Sequence, residues 1–266
     1  MKARTLNPAP IAAVGAPRLA VGLRGLLAAV YAAAQTSSHL FASPLGPFPW
    51  GGRQLYLPRF AFFGPHASDE SWRLAFLAGF DRSDLRSSHA LLSLVEQLSR
   101  NTDRGHGLDV TFFPVVDAAG FELGTPRREL AQENWQSSPA PEIQLLTQDA
   151  RSRQYHGFVR IETIVGEDVA TVRICGTGAE LLASDLALIT TQDFAPYGVR
   201  FEGSLAGGQR ESGPLSLADD LPFTPFELTL QIPTEWPDEA YRDVVVTLLE
   251  RFLWRYRAFQ AYGQNL

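Results

Sequence analysis

The run LDVTFFPVV at residues 108–116 constrains the fold most, because it is β-rich and nearly continuous in apolar residues. A strand with water on one face alternates apolar and polar side chains, whereas a strand covered on both faces need not. This run therefore calls for a sheet with helices packed on each side. The rest of the chain supplies the layers: GFVRIETIV (157–165), VATVRIC (169–175) and FELTLQI (226–232) read as further strands. Helical periodicity appears near 17–36, near 87–100 and over roughly 237–260.

The last of these helices has Pro237, Asp238 and Glu239 for its first turn and arginines in its later turns, as the helix dipole favours. Its inward stripe is Val245, Leu248, Leu249, Phe252, Tyr256 and Phe259. The first helix is expected to turn Leu19, Leu23, Leu26, Leu27, Val30 and Tyr31 inward. Ser87 or Ser88 is expected to cap the helix that follows. Further expectations are a strand near 54–63, a short helix near 70–79, another near 178–184 and a strand at LALITT (186–191). Together these give an α/β class, with a mixed, mostly parallel central sheet sandwiched by helices. No repeat or linker divides the 266 residues, so one domain over 1–266 is expected.

Composition narrows the partners. With 23 basic against 29 acidic residues the net charge is -6, which disfavours nucleic acid or an anionic membrane as a partner. Arg18 and Arg24 interrupt the Ala/Leu-rich segment 9–34, which is therefore read as a helix and not a signal peptide, with a cytoplasmic location as the expectation. No run of 18 uninterrupted apolar residues occurs. The single cysteine, Cys175, excludes an intramolecular disulfide framework and is read as a core residue.

Several chemistries lack their motifs. There is no G-x-S-x-G elbow, no glycine-rich nucleotide loop, no H-E-x-x-H helix and no C-x-x-C pair. His39, His89, His106 and His156 have no spaced partner and read as ordinary polar residues. GPHASDE (64–70) is different, because a histidine near an acid at a strand's carboxyl end is a common setting for a metal ion.

Four segments in order, GPHASD (64–69), FPVVDAAGFELGTPRRELAQENW (113–135), GFVRIETIV and FELTLQIP (226–233), resemble the zinc carboxypeptidase family. The resemblance is to its short members near the succinylglutamate desuccinylase and aspartoacylase group. That family carries G-x-H-x-x-E after a core strand, then P-V-V-N-P-D-G, arginines with an N-R pair, a third ligand histidine and a late T-x-E-L strand. The resemblance implies a metal set of His66, Asp69 and Glu162, in which aspartate and glutamate replace a glutamate and a histidine. Such a set is harder and more anionic than His-Glu-His and suits manganese, iron or magnesium as well as zinc.

The resemblance further implies Arg127 as the oxyanion-stabilising residue, with Arg128 and Gln132 as substrate-binding residues. Gln132 stands for the arginine of the N-R pair and cannot clamp a terminal carboxylate with charge. Gln231 falls where the catalytic glutamate belongs, and an amide cannot act as general base toward a metal-bound water. Glu227 lies four residues earlier on the same strand face, roughly 13 Å away. The reading is a carboxypeptidase-like protein that has lost the standard peptidase activity and binds a small molecule or peptide. Two alternatives accompany it: an active metal-dependent carboxypeptidase or amidohydrolase with a non-standard site, and a structural or oligomerisation module.

Overall fold

The computed structural model describes residues 21–68, 71–82, 85–124, 127, 130, 135, 137–176, 179–192, 194, 197–203 and 225–263. In chain order the helices are α1 (Val21–Thr36), α2 (Arg86–Arg100), α3 (Ala118–Leu123), α4 (Pro141–Arg153), α5 (Ala179–Gln192) and α6 (Asp238–Gly263). The strands are β1 (Leu40–Ala42), β2 (Leu45–Trp50), β3 (Arg53–Leu57), β4 (Phe60–Phe63), β5 (Arg73–Leu77), β6 (Asp109–Phe113), β7 (Gly157–Ile164), β8 (Thr171–Cys175), β9 (Arg200–Gly203) and β10 (Phe226–Pro233).

Eight strands form one mixed sheet in the order β1-β4-β6-β5-β7-β10-β8-β9, and β2 and β3 form a separate hairpin. The central strands β6, β5, β7 and β10 run parallel to one another. On the outer sides, β4 runs antiparallel to β6 and β8 runs antiparallel to β10. This is the expected α/β architecture with a mostly parallel core. All five β6 residues are buried, as its unbroken apolar run requires.

Strand alternation sorts the apolar residues into two cores. Leu74, Phe76, Val159, Ile161, Leu228 and Leu230 join residues from α1, α2, α5 and α6 on one face. Ala75, Leu77, Phe113 and Phe158 join α3, α4 and the β2–β3 hairpin on the other. Of the expected helix stripes, Leu23, Leu27 and Val30 of α1 and Val245, Leu248, Leu249, Phe252 and Tyr256 of α6 are buried. Leu19 and the side chain of Phe259 lie outside the described residues.

Three expectations change. The segment read as a short helix near 70–79 contains β5, whose Leu74, Ala75, Phe76 and Leu77 are all fully buried between two parallel neighbours. Burial on both faces removes the alternation that would have identified it. LALITT is the second half of α5, not a strand, and the Thr190 hydroxyl donates to the Leu186 carbonyl at 2.9 Å. That bond suits a β-branched threonine to a helix. Finally, α2 begins after Leu85 without a side-chain cap, and the Ser87 hydroxyl instead accepts from the Gly79 amide at 3.2 Å.

Candidate functional site

Because β5, β6, β7 and β10 are parallel, their carboxyl ends gather at one edge of the sheet, where α/β proteins build their sites. The turn after β5 is the first component. The amides of Val116 and Asp117 donate to the carbonyls of Ala78 and Gly79, both at 2.9 Å, which extends the β5–β6 pairing past both strands. Gly79 has φ +67, and a Cβ there would meet the Pro114 carbonyl at 2.8 Å and Val115 Cα at 2.9 Å. No other residue type fits this conformation and this approach together.

The β6 end supplies Asp117, which caps α3 by accepting from the Gly120 amide at 2.9 Å. A Cβ on Gly120 would lie 2.0 Å from Asp117 Oδ2, so the D-A-A-G spelling follows from the cap itself. Arg127 Nε donates to Asp117 Oδ1 at 2.8 Å, and its Nη2 pairs with Glu142 of α4. The guanidinium also lies over the Trp50 ring, 4.9 Å from the centroid. Asp117 and Glu142 are fully buried. Burial pushes the Asp117 carboxyl up from its ordinary value, and Arg127 only partly opposes it. Burial works against the charged guanidinium, but Glu142 and Asp117 outweigh it and raise the Arg127 pKa. The guanidinium expected to steady an oxyanion is therefore engaged in a buried triad.

The β7 and β10 ends supply the third component. Glu162 and Gln231 are direct register partners, and Gln231 Nε2 donates to Glu162 Oε2 at 3.4 Å. The other oxygen, Glu162 Oε1, pairs with Nη2 of Arg160. Arg160, two residues earlier on the same strand face, is 1% exposed. Its Nη1 also reaches Glu227 Oε1 at 3.4 Å, and its guanidinium lies 4.9 Å from the Phe80 ring centroid. The gap between Glu227 and the end of β10 is thus spanned by a cation from the adjacent strand.

The structure brings Glu162 and Gln231 together, as the resemblance implies, but it separates His66 from them. His66 follows β4, which is antiparallel to β6, so the carboxyl end of β4 lies beside the amino ends of β5, β6 and β7. Register places Phe63 opposite Asp109, Asp109 opposite Arg73, and Leu74 opposite Gly157. At about 3.3 Å per residue, His66 and Glu162 are roughly 20 Å apart along the strands. A zinc–nitrogen bond is about 2 Å, so these two residues cannot share an ion. His66 is exposed, has φ +60 and packs against His106 with ring centroids 4.8 Å apart. Asp69, Arg128 and Gln132 lie outside the described residues.

On the edge that carries Glu162 and Gln231, β5 runs into a segment that sequence reasoning missed and that begins Gly79-Phe80-Asp81-Arg82, followed in sequence by Ser83 and Asp84. It has the spacing of G-x-H-x-x-E, with aspartate at both ligand positions, and it follows β5 directly. Asp81 is half-buried, and Asp84 lies outside the described residues. The signal for it was a short apolar run ended by glycine just ahead of an amphipathic helix. Among the described residues, no group of three or more His, Cys, Asp or Glu side chains is placed to hold a metal ion.

Solved structures with the same fold come from metallo-carboxypeptidases. A metallo-carboxypeptidase from Burkholderia cenocepacia superposes with a TM-score of 0.67 at 14% identity, over 89% of this chain and 69% of that one. A metallo-carboxypeptidase from Pseudomonas aeruginosa, solved with (2-guanidinoethylmercapto)succinic acid, gives 0.62 at 15% identity, over 85% and 67%. Thrombin activatable fibrinolysis inhibitor gives 0.63 at 7% identity, over 88% and 73%. No model of a known protein family matches the sequence. No curated protein matches it either. The chain has a carboxypeptidase-like fold.

Among the described residues, the side chains at this edge do not fit the metal that this fold holds in metallo-carboxypeptidases. The buried Arg160 guanidinium already balances the Glu162 charge, so a divalent cation here would sit against a fixed positive group. The register partner of Glu162, Gln231, is a neutral amide.

Proposed function

We propose that this chain is a carboxypeptidase-fold protein without the standard peptidase activity, and that it binds a small molecule or peptide along the carboxyl edge of its sheet. The observation that carries this reading is the state of Glu162, which is held between Arg160 and Gln231. Hydrolysis at this edge needs an activated water and a base to take its proton. Gln231 supplies hydrogen bonds but no titrating group, and Arg127 is turned to Asp117 and Glu142. What remains suits recognition, namely the Gln231 amide and a turn fixed by Gly79.

The test has two arms. Peptides and acylated amino acids are incubated with the protein in zinc or manganese, and no release of a terminal residue is expected. Release that disappears in Glu162→Gln would overturn the reading. In the second arm, amino acids, acylated amino acids and short peptides are screened by amide chemical shifts. Shifts clustered at Gly79–Asp81, Glu162–Thr163 and Gln231 are expected, and no shift with any of them would favour a structural module.

A further inference from the structure

We propose that Arg160 is the resident cation of this edge, and that its guanidinium fills the charge-balancing role a bound metal ion has in a carboxypeptidase fold. The proposal deepens the functional reading above and rests on it.

Strand alternation sets up the arrangement. Along β7, Val159 and Ile161 point into one core, so Arg160 and Glu162 share the opposite face with Phe158. Along β10, Leu228 and Leu230 point into that first core, so Glu227 and Gln231 share the face of Arg160. Four polar side chains therefore meet on a surface that is otherwise a packed interior. Arg160 is 1% exposed and Glu227 is 5% exposed.

A guanidinium so deeply placed is costly unless carboxylates surround it. Among the described residues two do: Glu162 on its own strand and Glu227 on the neighbour. The Phe80 ring faces the guanidinium from the turn after β5, adding a cation–π contact. Arginine suits this position better than lysine, because its fork can donate in different directions to two acceptors at once. Removing the guanidinium would leave the buried Glu227 and the half-buried Glu162 facing one vacated volume, which is the composition of a hard divalent-cation site.

The experiment compares wild type with Arg160→Met, a replacement of similar length without charge. Titration with Mn²⁺ is read by thermal shift and by calorimetry. In wild type, neither Mn²⁺ nor a chelator is expected to move the melting temperature. Arg160→Met is expected to melt lower, to bind Mn²⁺ at least tenfold more tightly than wild type, and to regain melting temperature on binding. Adding Glu162→Gln to Arg160→Met should abolish that gain.

If Arg160→Met does not fold, refolding in Mn²⁺ gives the same reading. The triple variant Arg160→Met/Glu162→Gln/Glu227→Gln, which removes all three of these charges together, should then fold without metal. Wild-type Mn²⁺ or Zn²⁺ binding that is lost in Glu162→Gln would overturn the proposal. So would an Arg160→Met variant with no gain in Mn²⁺ affinity, or one rescued by neither metal nor the triple substitution. Failure of the functional reading looks different: metal-independent hydrolysis by wild type would refute that reading and leave the role of Arg160 standing.

Discussion

Gly79→Ala tests how the edge is built. Gly79 has φ +67, and an added Cβ would lie 2.5 Å from Ser88 Oγ, 2.8 Å from the Pro114 carbonyl oxygen and 2.9 Å from Val115 Cα. The left-handed conformation alone costs alanine about 1–2 kcal/mol. Overpacking a core adds about 1–3 kcal/mol, and two of the three contacts here are backbone atoms that cannot rotate away. The expected loss is therefore about 2–5 kcal/mol, or about 5–15 °C in melting temperature for a chain of this size.

Two companions separate the contributions. Gly198 has φ +65 with nothing within 4 Å of its Cβ position, so Gly198→Ala isolates the conformational cost. Ser88→Ala in the Gly79→Ala background removes the one movable obstacle and should recover only part of the loss. Denaturant unfolding of the four proteins gives the comparison. If Gly79→Ala costs no more than Gly198→Ala, the close approach of the β5 and β6 ends is not what fixes this turn.

Arg127→Met should destabilise the fold by about 3–5 kcal/mol in denaturant unfolding, because it strands Asp117 and Glu142 in the interior; a loss under about 1 kcal/mol would return Arg127 to a role in the cleft. His66→Gly should be neutral or stabilising by up to about 1 kcal/mol, since glycine adopts the φ +60 turn without strain, and it should leave ligand shifts at Gln231 unchanged. For His156, burial and then Arg73 hold its pKa below the ordinary 6.5, and its Nδ1 accepts from the Arg73 amide at 3.0 Å. The unfolded chain thus binds the proton more tightly, so this contribution to stability is present above pH 6.5 and is lost as pH falls through the lowered folded value. Unfolding free energies measured across that window should slope downward toward acid, with a shallower slope in His156→Gln; equal slopes would refute the assignment.

The layered fold was legible wherever one physical pattern decided the matter. Residues 108–116 admit no water-facing side, and the α6 stripe holds one helical face over several turns. Where two patterns compete locally, tertiary pairing decides. RLAFL could be a buried turn of helix or a buried strand, and only its parallel neighbours β6 and β7 settle it. Short connecting pieces such as β1 and α3 carry too few residues to show any period. The helix α4 could have been found, since Pro141 opens it and Glu142 lies in its first turn.

The site divides along the same line. Sequence order put Glu162 and Gln231 at strand ends correctly, because neighbouring parallel strands keep that relation in space. It misplaced the metal motif because a spacing such as G-x-H is silent about strand direction, and β4 runs against the strands that carry the rest. A sheet edge is defined by direction as well as order, so the Gly79–Arg82 segment after β5, not His66 after β4, shares an edge with Glu162. The better clue was Arg160 itself. An arginine amid the apolar residues of VRIET must find carboxylates in the interior, and Glu162 and Glu227 are the acids of the two strands whose register brings them to its face. A charge buried in a strand is informative because it names its partners: the cost of leaving it alone exceeds what any apolar neighbour can return.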